Sequence, residues 1–217
     1  RRSSSAASDV YKRQDRYLAL MASEILKKNK SRKIVYDIKC SNQLGQVIKE
    51  NNGTPIMTKT GHSYIKSEIS KSNAILGGEM SGHIFYNDNW YGFDDGIFAA
   101  LKLLEILSSK ESTTHEVFNK FTQLFNTPEI KIAVEDEEKF EIVEQLKVKL
   151  KPEGYDSILI DGLRLENKDC WGLVRASNTT PSLILRFEAN TEQKLMEIQE
   201  LFQKTLLEIN KNLKFLN

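Results

Sequence analysis

Thirteen residues near the C-terminus, Arg175-Ala176-Ser177-Asn178-Thr179-Thr180-Pro181-Ser182-Leu183-Ile184-Leu185-Arg186-Phe187, set two arginines and a run of small polar residues around one short turn. Guanidinium forks match phosphate oxygens two at a time, and hydroxyls, an amide and turn N–H groups fill the remaining acceptor sites. The set suits a phosphate dianion. Pro181 stiffens the exit of the turn, and Leu183, Leu185 and Phe187 alternate as one buried face of a strand. An ordinary polar hairpin turn with a surface arginine has the same composition, and this loop alone does not separate the two. A second constellation, Gly77-Gly78-Glu79-Met80-Ser81-Gly82-His83, follows the apolar run Ala74-Ile75-Leu76. Its glycines permit a tight backbone path, and it projects a carboxylate, a hydroxyl and an imidazole from a strand end. A carboxylate that accepts paired hydroxyl hydrogen bonds is a physical solution for binding vicinal sugar hydroxyls.

The two loops together resemble the phosphate-binding and sugar-binding loops of the α-D-phosphohexomutases, the phosphomannomutase/phosphoglucomutase family. The other motifs fall in the same order: Asp37-Ile38-Lys39, then Thr60-Gly61-His62-Ser63, then residues 78–83 and 175–181. The resemblance runs from about residue 15 to the C-terminus and covers the last two of the family's four domains. It implies that Glu79 and Ser81 bind sugar hydroxyls and that His83 contacts the substrate. It implies that Arg175, Ser177, Asn178 and Thr179, with Arg186 assisting, hold the non-reacting phosphate, and that His62 and Lys39 are catalytic residues beside the transferred phosphoryl group. The ligands implied are glucose or mannose 1- and 6-phosphate, with hexose 1,6-bisphosphate as intermediate. Met80 and Asn178 resemble the mannose/glucose branch rather than the glucosamine-phosphate branch.

The family's phosphorylated-serine loop and its acidic Mg²⁺-binding loop have no counterpart in this sequence. Asp94-Asp95-Gly96 reads as a helix start, and no metal ligand is expected here. The resemblance therefore implies a C-terminal fragment of a phosphohexomutase, dependent on missing N-terminal domains and inactive alone. A free-standing phosphosugar-binding module without catalysis is the alternative, and upstream sequence discriminates between them.

With 217 residues the chain has room for one large or two small domains. Hydrophobic content of 40% with 28% charged residues is that of a globular protein. Lys+Arg 31 against Asp+Glu 30 leaves a net charge of +1, so no global field favours nucleic acid or an anionic membrane. No apolar run approaches the ~20 residues of a membrane span. Cys40 and Cys170 lie far apart without metal-ligand spacing, which fits a reducing cytoplasm better than a disulfide scaffold. Residues 1–14 lack apolar periodicity and the apolar core of a signal peptide, and they are expected to be an unrelated, disordered leader.

The elements that must position these loops follow from hydrophobic spacing. Leu18, Met21, Ala22 and Ile25 mark a helix; strands are predicted at 34–38, 54–58 and 74–79, with helices at 43–50 and 64–71 between them. Such alternation indicates a layered α/β domain over residues 15–122, with its functional loops beyond the strand ends. A helix starting at Asp94 has apolar residues around nearly its whole circumference (Ile97, Phe98, Leu101, Leu104, Leu107) and is expected to be heavily buried. Thr113 and Glu116 have capping-box spacing. Residues 123–217 read as an α+β domain. It has a largely antiparallel sheet, of four strands beyond residue 156 after a first one at 130–134, covered on one face by two helices. The first helix carries Phe140, Val143, Leu146 and Leu150 inward, and the last buries Leu195, Ile198, Phe202 and Ile209.

Each singled-out residue also has a plain structural reading. His62 and His83 are two of only three histidines, and each can equally be a turn histidine. Lys39 can be a solvated strand end, and Cys40 beside it reads as a buried structural thiol. Trp90 reads as packing behind the sugar loop.

Overall fold

The structure, a computed structural model, describes residues 14–29, 32–121 and 124–215. The predicted leader lies outside them, apart from Gln14, which opens the first helix instead of closing the leader. The chain divides into two compact units, residues 1–122 and 123–217.

In the first unit a four-stranded sheet has the order β2-β1-β3-β4, formed by β1 (Lys33–Asp37), β2 (Thr54–Thr58), β3 (Leu76–Gly78) and β4 (Ile84–Tyr86). β1 pairs in parallel with β2 and with β3, and β4 closes the edge antiparallel to β3. A central parallel strand is buried on both faces, and β1 is apolar accordingly. Ile34 and Tyr36 pack with Leu18, Met21 and Ala22 of α1 (Gln14–Lys28) and Leu44 and Ile48 of α2 (Asn42–Glu50). Val35 points the other way, onto Ile65 and Ile69 of α3 (His62–Ser72). The layers are therefore helix, sheet, helix, as the alternation of the sequence implies.

Several helix ends are chemically marked. Ser41 caps α2 by accepting from the Gln43 N–H, and Asn73 ends α3 in the left-handed conformation at φ 54°. The capping box is present: Thr113 and Glu116 exchange both bonds at the head of α5 (Thr114–Asn119). α4 (Gly96–Ser108) is capped by Asp95, whose carboxylate accepts from the Phe98 N–H. Tyr17 of α1 donates its hydroxyl to the Ala99 carbonyl of α4, and burial pushes that phenol up to about 12.

One expectation fails at α4. Only Ala99 of this helix is fully buried, while Ile97, Leu101 and Leu104 are 78%, 59% and 61% exposed. An apolar circumference implies a helix enclosed on all sides, and here a single side meets the rest of the unit.

The second unit is a six-stranded antiparallel sheet, ordered β5-β10-β9-β8-β7 with β6 also paired to β10. Its strands are β5 (Phe125–Asn126), β6 (Ile130–Ala133), β7 (Asp156–Ile158), β8 (Leu163–Glu166), β9 (Cys170–Ala176) and β10 (Ser182–Ala189). The two-residue β5 pairs antiparallel with the end of β10. Two helices, α6 (Glu138–Lys149) and α7 (Glu192–Ile209), set Ile142, Val143, Leu146, Ile198, Phe202 and Leu206 against Val174, Leu183, Leu185 and Phe187. Full burial of one such side chain contributes about 1.5–3 kcal/mol. Phe140 does not join them: it is 56% exposed, because Ile142 and Val143 fill the inward stripe of α6.

Candidate functional site

The loop of residues 78–83 leaves β3 at Gly78 and is closed by Glu79 N–H to His83 O (3.0 Å) and Gly82 N–H to Glu79 O (2.9 Å). The turn places only Gly82 at positive φ (94°). Gly77 and Gly78 serve a different purpose from the tight path expected of them. A Cβ would lie 2.6 Å from Ile69 Cδ1 at the first and 2.8 Å from Leu18 Cδ2 at the second. Their bareness lets α3 and α1 close onto the strand.

Glu79 is buried, and both its oxygens are engaged: Oε1 accepts the Gly61 N–H (2.7 Å) and Oε2 the Ser81 hydroxyl (3.2 Å). Gly61 sits at φ 132°, a conformation closed to L side chains, directly before His62, the first residue of α3. The His62 and His83 rings consequently meet edge to face, with centroids 4.3 Å apart. Asp94 Oδ2 is 2.7 Å from His83 Nδ1 and 3.6 Å from His62 Nε2, and Oδ1 accepts the Ile84 N–H (3.3 Å). His62, from a separate loop, thus joins Glu79, Ser81 and His83 in one cluster. Asp94 was missed as a member. The signal was two adjacent carboxylates before one helix: Asp95 alone is the cap, which leaves Asp94 for the histidines.

Asp37 was likewise named only as part of a motif. Fully buried at the end of β1, it accepts from the Cys40 thiol (3.1 Å), the Met80 N–H (3.1 Å) and the Thr60 hydroxyl (3.2 Å). Burial pushes its carboxyl above the usual range, opposed by Lys39 and by the Cys40 and Met80 hydrogen bonds, while the charge of Glu79 adds to the rise. Lys39 itself is buried beside it. One carboxyl group therefore ties together the Lys39 turn, the Thr60 loop and the loop of residues 78–83. The Cys40 thiol is a donor in that knot.

Trp90 stacks flat on Phe98 of α4, with centroids 4.1 Å and planes 8° apart, so its ring face is occupied by protein.

In the second unit, Arg175 and Arg186 lie on one face of the sheet. The register sets Ile184 opposite Arg175 and Leu173 opposite Arg186, which makes the two arginines diagonal neighbours. Arg175 is buried; its Nε donates to Asp161 Oδ2 at 2.8 Å, and its Nη2 is buried without a hydrogen-bond partner. Arg186 lies over the Trp171 ring at 5.7 Å, Arg164 stacks on the same ring at 3.9 Å, and the indole N–H donates to Glu188 (2.8 Å). Ser177 is also buried, and its oxygen faces into the turn, accepting from the N–H groups of Thr179 (3.3 Å) and Thr180 (3.2 Å) and from the Thr180 hydroxyl (2.8 Å). Asn178 and Thr179 are exposed at the tip. The turn is thus braced from within by Ser177, a polar tip stands in solvent, and a guanidinium with a spare donor lies at its root.

Among the described residues one group of three side chains, His62, Glu79 and His83, has metal-ligand geometry. Two imidazoles do not fit Mg²⁺, which takes oxygen ligands in near-octahedral array.

An α/β/α unit with a carboxylate–histidine loop is followed by an antiparallel α+β unit with an arginine-rooted turn. The family descriptions that match are phosphoglucomutase/phosphomannomutase alpha/beta/alpha domain III over residues 13–125 and the phosphoglucomutase/phosphomannomutase C-terminal domain over residues 129–204. The chain belongs to the phosphoglucomutase/phosphomannomutase family. It is 48% identical over 195 residues to a phosphomannomutase/phosphoglucomutase of Pseudomonas syringae pv. tomato, covering 90% of this chain and 42% of that protein. It is 47% identical over 201 residues to a phosphoglucomutase of Neisseria meningitidis serogroup A, covering 92% and 43%. A crystal structure of a family member from Burkholderia thailandensis superposes with a TM-score of 0.86 at 38% identity, over 94% of this chain and 43% of that one. The chain thus spans less than half the length of these relatives. Among the described residues no helix is long and apolar enough to cross a membrane.

Proposed function

We propose that this chain supplies the sugar- and phosphate-binding half of a phosphohexomutase, a protein that in its longer form interconverts hexose 1-phosphate and hexose 6-phosphate through a hexose 1,6-bisphosphate. The observation that carries the reading is the buried, unpartnered Nη2 of Arg175 at the root of a polar turn. A buried guanidinium N–H without a partner costs stability unless a ligand completes it, and a phosphate oxygen is the acceptor it fits. Asp161 holds the other edge of the fork. Asn178 and Thr179 at the turn's tip complete the phosphate subsite, and Arg186 adds positive charge from the same sheet face.

Glu79, Ser81 and His83 take sugar hydroxyls in this reading. Each Glu79 oxygen already holds one protein donor and retains acceptor capacity for another. His62 and Lys39 orient the transferred phosphoryl group. The Mg²⁺ that such chemistry uses neutralises phosphoryl charge and is bound outside this chain, because the donor set here does not fit it. The exposed Ile97, Leu101 and Leu104 of α4 are covered by the N-terminal part of the longer protein. The two buried free thiols suit a reducing cytoplasm.

Calorimetric titration of the 217-residue chain with glucose 6-phosphate tests the reading. Arg175→Ala should weaken binding roughly ten- to a hundredfold, the effect of losing one charge-assisted hydrogen bond. Unchanged affinity in a folded variant would overturn it.

A further inference from the structure

His62, Glu79 and His83 each offer a ligand atom, and the three atoms lie within 4.8 Å of one another. We propose that this cluster binds a borderline transition-metal dication of the Zn²⁺ class, and that the bound metal excludes hexose from the sugar-type loop.

The donor chemistry selects the ion. Two imidazoles and one carboxylate match Zn²⁺ and its neighbours Co²⁺ and Ni²⁺, whereas Mg²⁺ and Ca²⁺ take oxygen cages. Three protein ligands leave one tetrahedral position for water, the arrangement of an exchangeable site.

The scaffold holds the ligands in place beforehand. His62 opens α3, Glu79 follows β3 directly, His83 precedes β4, and the hydrogen bond from Glu79 N–H to His83 O closes the loop between the last two. Asp94 engages His83 at Nδ1, which leaves Nε2 as that ring's remaining donor atom. A carboxylate on the far nitrogen of a ligating histidine fixes the ring tautomer and raises its basicity. Glu79 is anchored through Gly61 and Ser81. With bonds of about 2.0–2.2 Å, tetrahedral ligand atoms sit about 3.3–3.6 Å apart, so modest side-chain rotation brings the three into range. The His62 and His83 side chains are 49% and 44% exposed, which opens a path for the ion.

Metal binding stands on this geometry alone; the exclusion of hexose rests on the proposed role of Glu79 and His83 in holding sugar hydroxyls. Zn²⁺ would occupy the same lone pairs.

The test uses the 217-residue chain with any affinity tag removed. Competition between the protein and a chromophoric chelator for Zn²⁺ should show one equivalent bound with micromolar or tighter affinity, undisturbed by millimolar Mg²⁺. Co²⁺ should give the strong visible absorption of a tetrahedral centre. His62→Gln and His83→Gln, both at accessible positions and checked by circular dichroism, should each lose at least about a hundredfold in Zn²⁺ affinity. Asp94→Asn should lose about ten- to a hundredfold. No stoichiometric Zn²⁺, or binding undiminished in both histidine variants, would overturn the site. A parallel titration with glucose 1-phosphate should show apparent affinity falling at least tenfold when Zn²⁺ saturates the chain. Histidine-dependent Zn²⁺ binding that leaves glucose 1-phosphate affinity unchanged would support the metal site and overturn the exclusion. Loss of hexose phosphate binding in Glu79→Gln without any Zn²⁺ binding to the unaltered chain would sink the metal site and leave the sugar reading standing.

Discussion

Arg175 Nε donates to Asp161 Oδ2 at 2.8 Å, and both side chains are largely enclosed, at 5% and 15% exposure. The carboxylate holds one edge of the guanidinium and fixes where the other edge stands. Without Asp161 the arginine would keep its charge but lose its aim and its compensation. Removing one partner of a buried ion pair costs about 3–5 kcal/mol, since the other charge is left alone. We expect Asp161→Ala to lower the thermal transition of the second unit by several degrees and to weaken glucose 6-phosphate binding along with it. A variant with full stability and full affinity would show that the pair does neither.

Gly162 makes that pairing possible. It sits at φ 82°, and a Cβ there would lie 2.2 Å from the Val174 carbonyl oxygen and 2.7 Å from Arg175 Cα. Neither atom belongs to a side chain that can swing aside. Gly162→Ala should destabilise the chain by about 2–4 kcal/mol, more than an exposed glycine substitution costs. Gly154, also at positive φ but with nothing within 4 Å of a Cβ, provides the control: Gly154→Ala should cost about 1 kcal/mol. Denaturant melts of the two variants decide the matter, and equal losses would place the penalty in backbone conformation alone.

The buried carboxyl of Asp37 carries a pH signature. Its folded-state pKa is raised, chiefly by burial, so the folded chain holds this proton to higher pH than the unfolded chain does. Below the unfolded value, about 3.9, both states are protonated and the group contributes nothing unfavourable. As pH rises above that value the unfolded chain releases the proton first, and stability is lost until the folded group has titrated too. Asp37→Asn cannot titrate. The stability of the native chain relative to this variant should therefore decline as pH rises from about 4 through the raised folded value, then level off. Chemical denaturation at a series of pH values measures the difference, and a gap moving in favour of Asp37 with rising pH would contradict the raised pKa.

The outer side of α4 should be adhesive and energetically inert to folding. Leu101 is 59% exposed, so Leu101→Lys should leave the melting temperature within a degree or two while reducing dye binding and concentration-dependent association. Leu146→Ala, at 0% exposure on α6, should cost about 2–5 kcal/mol. If Leu101→Lys unfolds the chain, α4 is part of the core after all. If dye binding is unaltered, the apolar surface lies elsewhere.

The sequence was most readable where periodicity and local chemistry agree. Ile34 to Ile38 read as a strand, which the structure forms over Lys33–Asp37, and Thr113 with Glu116 announced a helix start that the structure contains. The loops around Glu79 and Arg175 were visible because unusual residue types stand in short runs. What stayed hidden was long-range pairing. Asp94 and Asp161 are ordinary acidic residues until the fold carries them to His83 and Arg175, 11 and 14 positions away. Ser177 looked like a ligand donor by type, and only the bend of the turn shows its oxygen accepting from Thr179 and Thr180. α4 misled for a different reason: apolar spacing reports the character of a helix surface, and which side of it is enclosed is set by the tertiary packing.

The Gly61 N–H donates to Glu79, so the loop of residues 78–83 and the start of α3 are joined by a single proton. Anything that draws the carboxylate toward itself, whether a hydroxyl or a cation, loosens that bond at the far loop. Gly61 is then a sentinel: its amide exchange rate with deuterium reports on occupancy at Glu79 without the reporter touching the ligand. A helix start thus works as a gauge, and the residue that reads it has no side chain at all.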